Sequence, residues 1–296
     1  MSNKKIPLVS LITINYNTAE HTIHLLRSIQ KLSYENLEII VVDNGSNEDP
    51  KDVFLNEFPE IIYVRSDENL GFAGGNNIGI TKASGEFIFF INNDTELEDE
   101  IISRLIDRFF SDPTIGLISP KILYYKTKII QFAGYTPLSI VARNRAIGNK
   151  TTDNGEFNRL VDSPYGHGAA LMVKKEVINE VGKMPEIYFL YYEELDWCEM
   201  IRRKGYKIKV DQTVTIGHKE SMSVGKLSSI KSYYLIRNRI LFVRRNFTFW
   251  RRLFFIFYIC LISFPKTLLS HLYAKQYDHA KAVCRGLFWN LNHTAS

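Results

Sequence analysis

Four short apolar runs, each followed by polar or acidic residues, constrain the fold of this chain more than any other feature. The runs occupy residues 8–14, 37–42, 61–64 and 87–91 and are rich in β-branched or aromatic side chains. Such runs predict buried strands. The segments between them carry apolar residues at helical spacing. The resulting β-α-β-α-β-α-β order predicts a mostly parallel sheet with helices on both faces.

The 296 residues are enough for one large α/β domain and an appendage, and the hydrophobic content of 45% is that of a globular protein. Further elements continue the domain beyond residue 115. We predict short strands near 116–118, 121–125, 129–132, 169–173, 206–210 and 213–217, and helices near 174–182 and 196–204. The loop from Gly148 to Asn158, rich in Gly, Asn, Asp and Thr, is expected to be mobile.

Charge is divided unevenly along the chain. Residues 221–296 hold 12 Lys or Arg and one acid, whereas residues 1–220 hold 25 Lys or Arg and 31 acids. Aromatic and apolar residues separate the arginines of the basic segment, which favours association with an anionic membrane surface. Nucleic-acid binding is the competing interpretation. It is disfavoured because no recognition motif is present and the first 220 residues are acidic.

The run Leu253–Phe264 is the most apolar part of this basic segment. Its 12 residues are too few to cross a bilayer, which needs about 20, so we expect the run to lie in the membrane interface. The three cysteines are far apart in sequence and indicate neither a disulfide framework nor a zinc site. With no signal peptide apparent at the N-terminus, we expect a cytoplasmic protein, peripheral at the inner face of the cell membrane.

Polar side chains stand where each predicted strand ends, and ligands of doubly wound sheets bind at that edge. Tyr16 follows the first strand, Asp43 the second and Asp94 the fourth. An aromatic ring beside carboxylate and amide groups suits a nucleotide base and ribose. A carboxylate at the next strand end suits a divalent metal held against a pyrophosphate.

Each of these signals also has a plain structural interpretation. Alone, Asn92-Asn93-Asp94 is most often a turn with Asx hydrogen bonds. The glycine-rich segment Gly71–Gly79 lacks GxGxxG spacing and does not follow the first strand, so it does not indicate a dinucleotide-binding fold.

The order of several motifs makes the interpretation more specific. Val41–Ser46 (VVDNGS), Asn69–Gly79 (NLGFAGGNNIG) and Phe90–Thr95 (FINNDT) resemble glycosyltransferase family 2, with the rhamnosyltransferase-like branch nearest. The resemblance continues through 168–173, 189–206 and 217–221. It implies a GT-A catalytic domain over residues 1–225. Residues 226–296 are then expected to form a helical, amphipathic C-terminal region.

The resemblance also implies a nucleotide-sugar donor and a divalent metal, Mg²⁺ or Mn²⁺. Asp94 takes the place of the last acid of the family's DxD motif, but Asn92 replaces its first acid. His218 is the candidate for a second metal ligand, followed by a segment, Ser221–Lys226, able to contact phosphate. The residues expected to bind the donor are Asn15, Tyr16, Asp43, Asn76 and Asn93.

An inverting transfer needs a carboxylate that removes the proton of the acceptor hydroxyl. Glu193, Glu194 and Asp196 are the candidates. The resemblance aligns Glu194 with the family's catalytic acid, whereas Asp196 also fits a capping box with Glu199 for the following helix. We therefore expect Glu194 to be the base and place Asp196 second.

The expected activity is an inverting, metal-assisted transfer of a sugar to a hydroxyl of a glycan or lipid-linked saccharide. Rhamnose from dTDP-rhamnose is the leading donor on the basis of the nearest branch. The alternative is a non-catalytic nucleotide- or saccharide-binding protein on the same fold. The sequence identifies neither the acceptor nor the oligomeric state.

Overall fold

A computed structural model of the chain describes residues 6–219 and 229–294. The described residues divide into two compact units. The first unit contains residues 6–136, 146–189 and 193–219, and the second contains residues 137–145, 190–192 and 229–294. The predicted boundary between residues 225 and 226, and the predicted phosphate-contacting segment Ser221–Lys226, lie outside the described residues.

The first unit is an α/β domain, as predicted. Its strands are β1 Val9–Asn15, β2 Leu37–Asn44, β3 Ile62–Ser66, β4 Phe87–Ile91, β5 Thr95–Leu97, β6 Ile115–Tyr124, β7 Ile130–Phe132, β8 Leu160–Asp162, β9 Ala170–Lys174 and β10 Lys207–His218. Its helices are α1 Ala19–Ile29, α2 Lys51–Glu57, α3 Gly71–Lys82, α4 Ile101–Ser111, α5 Lys175–Val181 and α6 Glu193–Arg203, with a 3-10 turn at Glu186–Tyr188.

One sheet runs through the domain in the order β3-β2-β1-β4-β9-β6-β10-β5, with β7 paired to β6 and β8 paired to β10. The first four strands of that order are parallel, as the alternating pattern predicts. Strand β9 then enters antiparallel between β4 and β6. The sheet is therefore mixed rather than mostly parallel. A buried apolar run does not reveal this difference, because a central strand is equally apolar in either direction.

Close packing of α3 against β1 explains the glycine-rich motif. A Cβ at Gly79 would lie 2.4 Å from Cγ2 of Ile12, so a larger residue there forces the helix away from the sheet. Gly71 begins the helix with φ of +73°, and a Cβ there would lie 2.1 Å from the carbonyl oxygen of Phe189. The glycines let the helix approach its neighbours.

Two strands are longer than the sequence pattern predicts. β6 is one strand where two were expected, and β10 replaces the predicted pair 206–210 and 213–217. β10 is irregular where its register against β6 shifts between Asp211 and Thr215. The Asp211 side chain accepts a hydrogen bond from the Thr213 backbone N–H at 3.0 Å and thereby stabilises the irregularity.

The second unit is helical, as predicted for the C-terminal region. It contains α7 Ser229–Asn246, α8 Phe249–Tyr258, a π-helical turn Ile259–Ser263, α9 Phe264–Tyr273 and α10 Tyr277–Asn292. Within this unit Asn238 of α7 donates hydrogen bonds to the carbonyls of Leu190 and Tyr191 at 2.7 and 2.8 Å. These bonds fix residues 190–192 to α7.

Helix α8, the π-helical turn and α9 form one continuous apolar helix, Phe249–Tyr273, of 25 residues with a mean hydropathy of 1.8 in its most apolar window. Only 17% of that window is buried. By length and composition alone this helix is sufficient to cross a membrane, so the expectation that the segment is too short to span is wrong. The apolar run ends at Phe264, but the helix continues through Pro265 and ends at Tyr273.

Candidate active site

A buried carboxylate organises the carboxyl ends of β1 and β2. The Asp43 side chain, at the end of β2, is fully buried. It accepts hydrogen bonds from Asn15 Nδ2 at 2.7 Å and Ser46 Oγ at 2.6 Å, and it forms an ion pair with Arg65 Nη1 at 3.1 Å. Both of its oxygens therefore have partners within the protein, and Asp43 holds the strand ends in register with each other.

The same network reaches the turn after β4 through α1. Asn15 Oδ1 accepts a hydrogen bond from Thr22 Oγ1 at 2.9 Å. Thr22 Oγ1 in turn accepts one from Asn93 Nδ2, also at 2.9 Å. Hydrogen bonds thus link the Asp43 carboxylate to the turn that carries Asp94. The predicted convergence of these strand-end residues is therefore observed.

The predicted donor-binding residues differ in how far their side chains are available. Asn15 and Asn93 donate within the network, and Asn76 donates to the carbonyl of Phe72 inside α3 at 3.0 Å. Tyr16, directly after β1, is partly exposed. Contact with a donor stays a prediction for all five, and Tyr16 has the most accessible side chain for it.

Asp94 and His218 lie together, as the family resemblance implies. His218 Nε2 is 3.1 Å from Asp94 Oδ1, and both side chains are buried. Asp94 Oδ1 accepts no hydrogen bond from the described residues, and the nearest ring nitrogen, His218 Nε2, counts as an ion-pair partner only if the ring is protonated. Nowhere in 6–219 and 229–294 do three or more His, Cys, Asp or Glu side chains cluster as metal ligands, so Asp94 and His218 stand as a pair.

Two further rings pack beside this pair: His167 contacts His218, and Tyr135 contacts His167. Sequence reasoning assigned neither residue to the site. The His167 ring lies edge-on to His218 with centroids 6.2 Å apart and stacks on Tyr135 at an interplanar angle of 10°. Burial lowers the pKa of His167 to about 3, so its imidazole is neutral at physiological pH. Its Nδ1 accepts a hydrogen bond from the Ala169 N–H at 3.1 Å, which leaves the ring proton on Nε2.

Tyr135 lies between His167, on which it stacks, and Glu194, the candidate base, whose charge acts on its hydroxyl. Burial raises the pKa of the Tyr135 hydroxyl well above its usual range, and the negative charge of Glu194 raises it further. Glu194 also lies beside Gly168, since a Cβ there would be 4.0 Å from Glu194 Cγ. Glu194 therefore lies near Tyr135 and near Gly168, the residue that follows His167.

Among the three acids of helix α6, burial distinguishes the candidates for the base. Glu193 and Asp196 are 3% and 1% exposed, whereas Glu194 is partly exposed. The capping-box interpretation of Asp196 is wrong, because α6 begins at Glu193 and places Asp196 inside its first turn. Glu199, the proposed partner in that box, instead accepts a hydrogen bond from the Tyr165 hydroxyl at 2.6 Å.

The segment before α6 adopts strained backbone conformations. Phe189, Tyr191 and Tyr192 have φ values of 65°, 69° and 77°, which bulky residues rarely adopt. Such strain persists only where surrounding contacts impose it, and it is concentrated at functional sites.

Hydrogen bonds from α3 hold Phe189 and the residues before it in place. Phe72 N–H donates to the Phe189 carbonyl at 2.7 Å. Asn77 Nδ2 donates to the Met184 carbonyl at 2.8 Å and to the Glu186 carboxylate at 2.7 Å. The glycine-rich motif thus supports the chain that leads to Glu194, a role that its composition does not reveal.

Comparisons with known proteins agree with this arrangement. The family model described as glycosyl transferase family 2 matches residues 10–182, more than half of the chain. The low-salt glycan biosynthesis hexosyltransferase Agl10 of Haloferax volcanii is 29% identical over 238 residues, 79% of this chain and 74% of that protein. The dTDP-rhamnosyl transferase RfbF of Shigella flexneri is 25% identical over 248 residues, 79% of each chain.

Two solved structures share the fold. GalNAc-T7, solved with UDP, GalNAc and Mn²⁺, matches with a TM-score of 0.64 and 17% identity over 81% of this chain and 48% of its own. The mannosyltransferase PcManGT from Pyrobaculum calidifontis, solved with GDP-Man and Mn²⁺, matches with a TM-score of 0.59 and 16% identity. The match covers 97% of this chain and 88% of PcManGT. These likenesses show a GT-A fold. The chain belongs to glycosyl transferase family 2, and it is a glycosyltransferase.

Proposed function

We propose that the enzyme transfers a sugar from a nucleoside diphosphate sugar to a hydroxyl of a glycan or lipid-linked saccharide, with inversion at the anomeric carbon. The observation that carries the proposal is the Asp94–His218 pair, 3.1 Å apart, on the same hydrogen-bonded sheet edge as Asp43. Rhamnose from dTDP-rhamnose is the leading donor. It is supported by the likeness to the Shigella flexneri dTDP-rhamnosyl transferase.

The nucleotide end of the donor is assigned to the edge formed by β1 and β2. The exposed part of Tyr16 offers a ring on which a base can stack. Asp43 and Asn15, joined by a hydrogen bond of 2.7 Å, are the polar side chains assigned to the position beside this ring. Asn93 and Asn76 support the surrounding turn and helix through their amide hydrogen bonds.

The residues present fit a divalent metal, because the buried Asp94 Oδ1 accepts no hydrogen bond within the described chain and faces a ring nitrogen. A carboxylate oxygen and an imidazole nitrogen suit Mn²⁺, and the carboxylate alone suits Mg²⁺. When bound, the metal offsets the negative charge of the departing diphosphate. With only Asp94 and His218 as protein ligands, we expect affinity for the metal to be modest.

Glu194 is assigned as the general base. Its carboxylate accepts the proton of the acceptor hydroxyl while that oxygen forms a bond to the anomeric carbon. The bond from that carbon to the diphosphate oxygen breaks on the opposite face, and its electron pair leaves with the diphosphate. Partial exposure supports this role for Glu194, because an acceptor must reach the base. Asp196, 1% exposed, is the second candidate.

We assign the helix Phe249–Tyr273 to the surface of an anionic membrane at its cytoplasmic face. Exposed Trp250, Phe254 and Phe257 offer apolar rings, and Arg251 and Arg252 are also exposed. Apolar contact with acyl chains and charge attraction to anionic headgroups then act together. A lipid-linked acceptor would be concentrated at the same surface.

A donor screen tests the function directly. The purified full chain is incubated with dTDP-rhamnose and other nucleotide sugars, with Mn²⁺ and with EDTA, and nucleoside diphosphate release is measured. We expect release from one donor, loss of that release in EDTA, and loss in Asp94→Ala. Release unaffected by both EDTA and Asp94→Ala would contradict the metal role. Binding without release from any donor would favour a nucleotide- or saccharide-binding protein.

A further inference from the structure

The backbones of the two candidate metal ligands are held together by β-sheet pairing. His218 ends β10 and pairs antiparallel with Thr95 of β5. The Lys219 N–H donates to the Asp94 carbonyl at 3.0 Å, and the Tyr125 N–H donates to the His218 carbonyl at 3.1 Å. These bonds fix where both residues lie. They do not fix how the His218 ring is turned or which ring nitrogen carries the proton.

Gln131 supplies that missing constraint. It lies in the middle of β7, is 6% exposed, and places Oε1 2.7 Å from His218 Nδ1. Its backbone carbonyl accepts a hydrogen bond from Asn149 Nδ2 at 2.8 Å, which helps to hold the strand in place. An amide oxygen only accepts hydrogen bonds, so the proton of this contact belongs to His218 Nδ1.

The position of that proton determines what the opposite nitrogen presents. In the neutral ring, a proton on Nδ1 leaves a lone pair on Nε2. Nε2 faces Asp94 Oδ1 at 3.1 Å, and that buried oxygen accepts no hydrogen bond in the described parts of the chain. Two electron-pair donors thus face each other, an arrangement that a cation stabilises.

We propose that Gln131 is a positioning residue, whose side-chain carbonyl fixes the Nδ1–H tautomer of His218 and turns Nε2 toward Asp94 and the divalent metal. Metal-binding histidines generally donate their second ring N–H to such an acceptor, which orients the ring and raises its basicity. The proposal rests on the metal role of Asp94 and His218 in the proposed function. Because Gln131 is uncharged, Asp94 provides the only negative charge among these three side chains.

Mn²⁺ binding measured by electron paramagnetic resonance on the full chain, with the metal alone, tests the proposal without any turnover. Gln131→Leu removes the acceptor at nearly constant size, and we expect its Kd for Mn²⁺ to rise about 10–100-fold. Gln131→Glu keeps an acceptor and adds a negative charge, so its affinity is expected to match or exceed that of the wild type. His218→Ala should weaken binding at least as much as Gln131→Leu.

Gln212 provides a matched control for the loss of a buried amide. It is 4% exposed in β10, its Nε2 donates to the Ala133 carbonyl at 2.7 Å, and no hydrogen bond joins it to Asp94 or His218 among the described residues. Gln212→Leu should lose a similar amount of thermal stability while keeping its Mn²⁺ affinity within about twofold, since it leaves the contact between Gln131 and His218 intact. Equal weakening of Mn²⁺ binding by both leucine variants would mean a purely structural role and would overturn the proposal.

Nitrogen-15 NMR of the histidine rings in the metal-free protein provides a second, independent measurement. We expect the His218 proton on Nδ1 in the wild type and a mixture of tautomers in Gln131→Leu. A neutral wild-type ring with its proton on Nε2 instead of Nδ1 overturns this proposal alone. Absence of Mn²⁺ binding to a wild type that still transfers sugar overturns the metal role and this proposal together, and leaves glycosyl transfer standing.

Discussion

At the scale of single residues, exposure separates acids that sequence spacing leaves equivalent. Glu193, Glu194 and Asp196 stand within four residues, but only Glu194 keeps part of its surface open. The neighbouring Tyr135 responds to its charge, because Glu194 contributes to raising the pKa of that hydroxyl.

Glu194→Gln is expected to abolish proton removal while leaving the shape of the site intact. Transfer should fall by roughly 10²–10⁴-fold, the usual contribution of general base catalysis. Donor binding, measured by calorimetry with the nucleotide sugar found to be turned over, should be unchanged. Asp196→Asn is the matched variant and should lose less activity. Normal turnover by Glu194→Gln would remove Glu194 from this role.

Sequence motifs pointed to candidate residues at or near the ends of strands, and they missed the neighbours that only tertiary structure brings close. The family resemblance paired Asp94 with His218, although they are 124 positions apart in the sequence. Gln131 and His167 carried no local signal. They reach the site because β7 and β9 join the sheet beside β6, after loops whose course the sequence pattern does not fix.

At the scale of elements, the apolar runs located β1 to β4 within about two residues, because burial ends where polar strand-end residues begin. Strand β10 was predicted as two strands. The polar stretch Asp211-Gln212-Thr213 interrupts its apolar pattern, although the backbone continues through an irregularity. Strand direction and bulges depend on neighbouring strands, and these are not encoded in a local run.

Because α3 packs closely on β1, one methyl group added at Gly79 should have a large effect on the stability of the fold. Gly79→Ala places a Cβ only 2.4 Å from Ile12 Cγ2, which is too close for two carbon atoms that are not bonded. We expect a loss of about 1–3 kcal/mol in the free energy of unfolding, typical of overpacking. Urea denaturation measures it. Combining Gly79→Ala with Ile12→Ala should give less destabilisation than the sum of the two, whereas strict additivity would contradict a direct clash.

Cysteine reactivity tests the exposed face of the helix Phe249–Tyr273. Cys260 is exposed on this helix, whereas Cys198 is buried and burial raises its thiol pKa to about 12. Because the thiolate is the reactive form, Cys198 should resist a thiol reagent throughout pH 7–9 in the native protein and react only after unfolding. Cys260 should react readily without lipid.

Vesicles of anionic phospholipid should slow the labelling of Cys260 several-fold, because insertion of the apolar face removes the thiol from water. Vesicles of neutral phospholipid should protect it less, since the basic residues then lack a partner. Cys260→Ser assigns the signal. An unchanged labelling rate with anionic vesicles would contradict the membrane assignment of this helix.

At the scale of the whole molecule, the uneven distribution of charge parallels the division into two units. The acidic residues 1–220 contain the strand-end site, and the basic residues 221–296 contain the exposed apolar helix. Sequence composition alone predicted two differently behaving segments. It did not predict that residues 137–145 and 190–192 belong to the second unit, because that membership depends on long-range hydrogen bonds such as those from Asn238.

The central claim is a single displacement from a nucleotide sugar, and the configuration of the released sugar tests it most directly. Proton NMR follows the anomeric signal while the wild-type protein and Mn²⁺ consume the donor identified by the screen, before the free sugar equilibrates. Attack from the face opposite the diphosphate predicts that the first sugar formed, on acceptor or water, has the anomeric configuration opposite to the donor. A first product that keeps the donor's configuration would contradict the account.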